Sequence, residues 1–94
     1  MVDSPRCGVK VEKFVVSADY ARFLAHLRTA RRAAGLTQQQ VATRLGQTQS
    51  FVSKCERGER RIDVIELRTF CRALNTSFSE FVQQLDVVLS KQEH

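Results

Sequence analysis

The chain has 94 residues, of which 43% are hydrophobic and 27% are charged, and its formal net charge is +5. A chain of this length forms one small domain, so an enzyme with a deep pocket and a separate substrate domain is excluded. The charges are unevenly distributed: residues 20–74 contain eleven Lys or Arg and four Asp or Glu. Residues 1–19 contain three basic and three acidic residues, and residues 75–94 contain one basic and three acidic residues. The middle of the chain is therefore basic by +7, as expected of a phosphate-binding surface.

The cysteines and the apolar runs exclude several other classes of protein. The three cysteines, Cys7, Cys55 and Cys71, are odd in number and do not have the spacing of metal ligands, so we expect no metal site. No array of catalytic residues is visible either, so we expect no catalytic residues and no cofactor. The N-terminus lacks the pattern of a signal peptide, and no apolar run is long enough to span a membrane. The cysteine pattern suits a reducing compartment, so we expect a cytoplasmic protein.

The first sixteen residues are predicted to lie outside the helical domain. Residues 1–8 are polar and contain Pro5 and Gly8, which predicts disorder. Residues 9–16 are rich in β-branched residues and alternate briefly, which is typical of a short strand. Such a strand would pair with its copy in a second subunit, or the segment would lie as an extended arm on the domain. The domain itself is predicted to span residues 17–90, and residues 91–94 to form a disordered tail.

Helix one is predicted to begin at Ser17, a good N-cap, and to run to Ala34, where Gly35 stops it. Its inward stripe consists of apolar residues at helical spacing: Tyr20, Phe23, Leu24, Leu27, Ala30 and Ala34. Arg31 falls on the same stripe, which is an unusual position for a charge. His26 is a single histidine on an Arg-rich helix and is predicted to be a surface residue.

Two short helices joined by a tight turn follow. Thr37 and Gln40 form the sequence pattern of a capping box, and Gly46 can adopt the left-handed conformation that ends a helix. Thr48 can cap the next helix, which Gly58 ends in the same way. Because the turn is so short, the two helices must cross steeply and one must project from the domain. This is the helix-turn-helix arrangement, whose second helix enters the DNA major groove.

The outer face of this second helix carries only hydrogen-bonding and cationic side chains. They are Gln49, Ser50, Ser53, Lys54 and Arg57. A helix that faces only water would normally include Glu or Asp. The absence of carboxylates therefore favours a surface that binds an anionic partner.

Helices four and five are each predicted from an N-cap that is followed by an acid three residues later. Asp63 and Glu66 open helix four, and Ser77 and Glu80 open helix five. The buried face predicted for helix four consists of Ile65, Leu67, Phe70, Cys71 and Leu74. The apolar stripe of helix five consists of Phe78, Phe81, Val82, Leu85, Val88 and Leu89.

These motifs resemble the Cro/repressor-type (XRE) helix-turn-helix family. The matching residues are Gly35-Leu36-Thr37-Gln38, Val41-Ala42, Leu45-Gly46, Gln49-Ser50, Val52-Ser53 and Glu56-Arg57-Gly58. The resemblance covers about residues 20–85. It implies an all-α fold, a compact five-helix bundle, that binds DNA, mostly as a dimeric transcriptional repressor. The chain departs from the family at Cys55, where a larger apolar residue is common, and at Asn75, where helix four usually ends in Gly.

The expected DNA contacts follow from this motif, in which the N-terminal turn of the second helix enters the groove first. Base reading is assigned to Gln49, Ser50, Ser53 and Lys54, and the family resemblance implies the same role for the first two and for Lys54. Phosphate binding is assigned to Gln38, Thr48, Arg57, Arg60 and Arg61, with Arg44 as a further candidate. Lys54 has phosphate binding as its alternative role. Phe51 would either contact a thymine methyl or fill the gap beside helix four.

Arg31 and Glu56 are predicted to form a buried ion pair. Arg31 lies on the inward stripe of helix one, and Glu56 adjoins the inward stripe of the second helix of the motif. A buried charge without a partner is very costly, so two such charges of opposite sign are expected to meet. The family resemblance implies the same pair. The alternative is that both side chains extend to solvent.

The surplus apolar residues of helix five predict a homodimer interface formed by Val82, Leu85, Val88 and Leu89. Together with residues 9–16 they would leave a sizeable apolar patch on a monomer. The alternative is that the last turns of helix five fold back on the core of their own domain.

The sequence thus predicts a sequence-specific regulator that binds double-stranded DNA, most simply a dimeric repressor that inserts residues 48–57 into the major groove. Bound to DNA it would be associated with the nucleoid. One alternative is an antitoxin that also binds a toxin, and a co-regulator is another conceivable partner protein. A second alternative is a protein–protein adaptor that uses the same fold without reading bases. Membrane contact is not expected.

Overall fold

The computed structural model of the protein describes residues 17–91, which form five α-helices. They are α1 (Ala18–Ala33), α2 (Gln38–Leu45), α3 (Gln49–Arg57), α4 (Val64–Ala73) and α5 (Phe78–Ser90). Within these residues there is no strand, and the predicted all-α five-helix fold is confirmed. The predicted arm or strand, residues 1–16, and residues 92–94 of the predicted tail lie outside the described residues.

Every helix begins after a side chain that caps it. Ser17, Thr37, Thr48, Asp63 and Ser77 each accept a hydrogen bond from the backbone N–H three residues later, at 2.7–3.3 Å. Thr37 and Asp63 are also parts of complete capping boxes. The start of each helix is therefore set by residues next to it in the chain.

Left-handed residues end two of the helices and follow two others, and Gly35, with φ of 75°, is the one that follows α1. Gly46 and Gly58 close α2 and α3 with φ of 69° and 84°, and Asn75 follows α4 with φ of 60°. Asn75 therefore does here what Gly usually does, because Asn tolerates the left-handed region. Helix α1 ends at Ala33, one residue earlier than predicted, and Ala34 is its cap.

The core lies where the inward faces of the helices meet, and α1 packs on α3 and α5 while α4 packs on α2 and α5. Its largest fully buried side chains are Leu27, Val41, Val52, Cys55 and Cys71. Burial raises the pKa of the Cys71 thiol to about 11, so this group behaves as a small apolar residue. None of the helices within residues 17–91 is long and apolar enough to cross a membrane.

Three sequence predictions about burial need correction. Ile65 was expected in the core but its side chain is 70% exposed, because at about 100° per residue it lies opposite Leu67 and Leu74 on α4. Ala34 was expected on the inward stripe of α1 but is exposed, since the helix ends before it. His26 was expected on the surface but is half-buried, with its ring centroid 4.5 Å from that of Phe81.

Candidate nucleic-acid interface

The candidate interface is formed by α2, the turn that follows it, and the exposed face of α3. Helix α3 buries Val52, Cys55 and Glu56 against the core and exposes the opposite side. Gln49, Ser50, Lys54 and Arg57 are exposed, and Ser53 is half-exposed. The N-terminal turn of α3 therefore projects from the domain with polar side chains outward, as a helix that enters a groove requires.

A buried ion pair holds α3 to α1. The Arg31 guanidinium donates to both carboxylate oxygens of Glu56, from Nε to Oε2 at 2.7 Å and from Nη2 to Oε1 at 3.1 Å. Arg31 is 9% exposed and Glu56 is 3% exposed. Arg31 also donates to the Leu36 carbonyl oxygen at 2.9 Å, and Arg28 donates to the backbone oxygen of Glu56 at 2.9 Å. The two arginines thus place the C-terminal part of α3 against α1.

The hydrogen-bond network extends from this ion pair to the exposed end of α3. The Gln38 side chain donates from Nε2 to Oε1 of Glu56 at 2.9 Å, and its own Oε1 accepts from Nε2 of Gln49 at 2.7 Å. Gln49 is therefore oriented by a neutral amide that is itself fixed by a buried carboxylate. This network occupies the side chain of Gln38, whereas the assignment of Gln38 to phosphate rests on the backbone at the start of α2. The free backbone N–H groups of the first turn of α2 are the atoms left to bind an anion.

Two of the arginines assigned to phosphate are paired with carboxylates. Arg57 contacts Oε2 of Glu59 at 2.6 Å and also donates to the Ser53 hydroxyl at 2.9 Å. Arg60 makes a bidentate pair with Glu66, at 2.7 Å and 3.0 Å. Within residues 17–91 Arg61 has no carboxylate partner.

Aromatic rings hold the guanidinium groups of the loop between α3 and α4. The guanidinium carbon of Arg60 lies 4.8 Å from the ring centroid of Phe51, and that of Arg61 lies 4.3 Å from the centroid of Tyr20. The Tyr20 hydroxyl in turn accepts from the backbone N–H of Ile62 at 3.0 Å. The loop is therefore fixed to both α1 and α3.

The electrostatics of this loop are set by Arg60. Its hydrogen bonds hold the pKa of Glu66 below the usual carboxyl value, and the backbone N–H of Asp63 contributes in the same direction. Glu66 is thus ionised at neutral pH and offsets part of the charge that Arg60 could present to DNA. Sequence reasoning identified Glu66 only as a capping residue and did not predict this second role.

The remaining predicted residues lie as follows. The Thr48 hydroxyl caps α3 by accepting from Phe51, which leaves its O–H free to donate. Phe51 is half-buried beside α4, the second of its two predicted positions. Arg44, the further phosphate candidate, donates to the Ala73 carbonyl oxygen at 2.7 Å and so caps α4. The Lys54 side chain makes no hydrogen bond or ion pair to any residue between 17 and 91, which leaves its ammonium group available.

A comparison with protein families matches residues 27–81 to a helix-turn-helix family model. The chain belongs to the XRE-type helix-turn-helix family. A solved XRE-family-like protein from Pseudomonas syringae is 48% identical, covers 76% of this chain and 87% of its own, and superposes with a TM-score of 0.71. An uncharacterized HTH-type transcriptional regulator of Sinorhizobium fredii is 38% identical over 77% of this chain and 84% of its own length.

A further solved relative is the restriction-modification controller protein C.AhdI of Aeromonas hydrophila. It is 32% identical, covers 69% of this chain and 98% of its own, and has a TM-score of 0.62. Members of this family are DNA-binding transcriptional regulators. Because the chain belongs to the family, it is a DNA-binding regulator.

Proposed function

We propose that the protein is a dimeric transcriptional repressor that inserts α3 into the major groove of its operator. The observation that carries this proposal is the orientation of Gln49, which is fixed through Gln38 to the buried Glu56. An amide held in place before binding loses less side-chain entropy when it contacts a base. The carboxylate-free outer face of α3 supports the same function, because it carries nothing that would repel phosphates.

Base reading is assigned to the side chains nearest the N-terminal end of α3. Gln49 can bond N6 and N7 of adenine together, and Lys54 can donate to O6 and N7 of guanine. Ser50 lies beside Gln49 and is equally exposed. Ser53 accepts from Arg57 and keeps its own O–H as a donor, so its contact to a base would be made jointly with that arginine.

Phosphate contacts are assigned to both ends of the motif. The first turn of α2 at Gln38 and the Thr48 hydroxyl would bind the backbone on one side of the groove. Arg57, Arg60 and Arg61 would bind it on the other side. Arg61 is the strongest of the three candidates, since Arg57 and Arg60 are already paired with Glu59 and Glu66. Electrostatic attraction of this kind gives affinity without sequence preference.

The dimer is assigned to the outer face of α5. Val82 is 41% exposed and Val87, which the sequence prediction omitted, is 53% exposed. Val88 and Leu89 are half-buried, and Leu85 packs partly against the core, so it is shared between the core and the surface. Sedimentation of the whole chain at micromolar concentration should give twice the chain mass. Val82→Glu with Val87→Glu should give the monomer mass, whereas Gln39→Glu, an exposed control on α2, should not.

Selection of bound duplexes from a random DNA library tests the function itself. A dimeric repressor should enrich two half-sites whose centres are about one helical turn apart, 10–10.5 base pairs. An adaptor protein that never reads bases would enrich no sequence, and this result would overturn the proposal. An antitoxin would enrich a site and would also co-purify with a second small protein from its native source.

A further inference from the structure

A small groove lies between the α2–α3 turn and α4, beside the proposed DNA-reading surface. Its volume is about 140 Å³, and its lining combines four apolar side chains with three polar ones: Leu45, Phe51, Ile65 and Phe70, and Gln47, Glu66 and Thr69. Val64 and Ile65 on the first turn of α4 are 62% and 70% exposed. A drug-sized ligand needs roughly 300–1,000 Å³, so this groove suits one or two apolar side chains of a larger partner.

Two arginines on α4 lie next to residues that line the groove. Arg68 and Arg72 are exposed on α4, and helical spacing places Arg68 next to Ile65 and Arg72 next to Thr69. Within residues 17–91 neither arginine pairs with a carboxylate. Like charges four residues apart on a helix repel each other, so this arrangement is unfavourable without a partner.

The acids nearest the groove are already engaged. Glu66 accepts two hydrogen bonds from Arg60, and Asp63 caps α4 by accepting from the backbone N–H of Glu66 at 2.7 Å. The exposed face of α4 is therefore apolar at its N-terminal end and positively charged towards its C-terminal end. A partner that fits both parts must carry apolar side chains together with carboxylates.

We propose that this α4 groove binds an acidic amphipathic segment of a partner protein, with an apolar side chain between Phe51 and Ile65 and carboxylates against Arg68 and Arg72. An amphipathic helix presents such side chains three and four residues apart, which matches the spacing on α4. The inference concerns a different face from the proposed base-reading surface and does not depend on which sequence α3 reads.

Other occupants fit the groove less well. DNA would gain from the arginines but not from the apolar floor, which offers nothing to phosphates. Residues 9–16 of the chain carry Lys10 and Lys13 against Glu12, so their net charge is not complementary. A second copy could pair its α5 with this α4, and a two-fold axis would repeat the contact, so the sedimentation of Ile65→Glu in the test below distinguishes this occupant.

The test uses the full chain as bait for a displayed library of random 16-residue peptides. Enriched peptides should contain several Asp or Glu and should place Leu, Ile, Phe or Met three or four residues apart. The labelled winning peptide should bind at least tenfold more weakly to the Arg68→Glu, Arg72→Glu double variant and to Ile65→Glu. Arg32→Glu, a charge reversal at an exposed site on α1, should leave its affinity unchanged.

Three results would overturn the inference. The first is a set of enriched peptides without acids, or peptides that bind the double variant as tightly as the parent. The second is a monomer in sedimentation for Ile65→Glu, which would make the groove a contact between copies. The third is a lower salt dependence of DNA binding in the Arg68→Gln, Arg72→Gln variant, which would make the face a phosphate surface. All substituted side chains are exposed, and circular dichroism checks that each variant folds.

Discussion

The outer face of α3 and the C-terminal part of the outer face of α4 both carry polar or positively charged side chains, but the domain restrains them to different degrees. On α3, Gln49 is linked by two hydrogen bonds to a buried carboxylate, so its orientation is fixed before any ligand arrives. On α4, Arg68 and Arg72 have no carboxylate partner among residues 17–91, and long side chains of this type retain most of their rotamer freedom. In the proposed roles, the restrained amide of Gln49 would read a fixed pattern of base edges, whereas the unrestrained charges of α4 would adapt to a bound peptide.

Removing Arg31, the buried partner of Glu56, should have the largest effect on stability. Arg31→Ala leaves Glu56 buried and unpaired, which should reduce the free energy of unfolding by roughly 3–5 kcal/mol in a urea titration. Arg32→Ala, at the exposed neighbouring position, should change it by no more than about 0.5 kcal/mol. A loss below about 0.5 kcal/mol for Arg31→Ala would show that the ion pair contributes nothing to stability.

Removing the base-reading groups should weaken binding without unfolding the domain. Gln49→Ala and Lys54→Ala should each cost roughly 1–3 kcal/mol on the preferred site and relax the preference at one position of a selected-site profile. Arg68→Ala on α4 should leave the profile unchanged. If both α3 variants keep the parent profile and bind all DNA more weakly, these two residues bind phosphates.

Freeing the Gln49 side chain from the hydrogen bond that orients it should weaken DNA binding by a smaller amount. Gln38→Ala removes the amide that orients Gln49, and we expect a loss of about 1 kcal/mol on the preferred site because one hydrogen-bonded restraint disappears. Among residues 17–91 the side chain of the adjacent Gln39 bonds only within α2, to Thr43 at 3.4 Å, so Gln39→Ala is the matched control. Equal losses in the two variants would mean that the contribution of Gln38 is not specific to Gln49.

The smallest expected effect is a change in how the stability of the protein depends on pH. Because the pKa of Glu66 is lowered in the folded state, its pair with Arg60 stabilises the protein above about pH 4.5 and is lost as the pH falls through the folded-state pKa. Glu66→Gln keeps a capping-box residue but removes the charge, so stability should fall less steeply between about pH 5 and pH 3. The pair is partly exposed, and at neutral pH we expect a loss below about 1 kcal/mol. Glu80→Gln in α5 is the control, and a pH profile of Glu66→Gln identical to the parent would contradict the assignment.

The features that sequence predicts well are those set by near neighbours in the chain. Ser17, Thr37, Thr48, Asp63 and Ser77 cap the helices as predicted, because an N-cap needs only a short polar side chain and the N–H three residues later. A charged residue on an otherwise apolar stripe also predicts a structural feature, namely a buried partner of opposite charge. Arg31 on an apolar stripe indicated a buried partner, and the structure places it against Glu56.

The features that sequence misses depend on where distant side chains meet. Nothing in the spacing of Gln38 and Gln49 shows that their amides touch, and Arg60 could not be assigned to Glu66 and Phe51 before the path of the loop was known. Ile65 is instructive in another way. Its apolar character predicted burial, but a helix buries only one face, and on α4 that face carries Leu67 and Phe70.

The five side-chain caps have a consequence for how quickly the protein becomes active. Each cap joins residues three apart, so the chain can define its helix starts before any distant contact forms. Helical domains rich in local contacts fold within microseconds to milliseconds. Synthesis is far slower, at about 5–20 residues per second. The supply of folded protein should therefore follow translation without a further delay, and the timing of regulation would be set by expression rather than by folding.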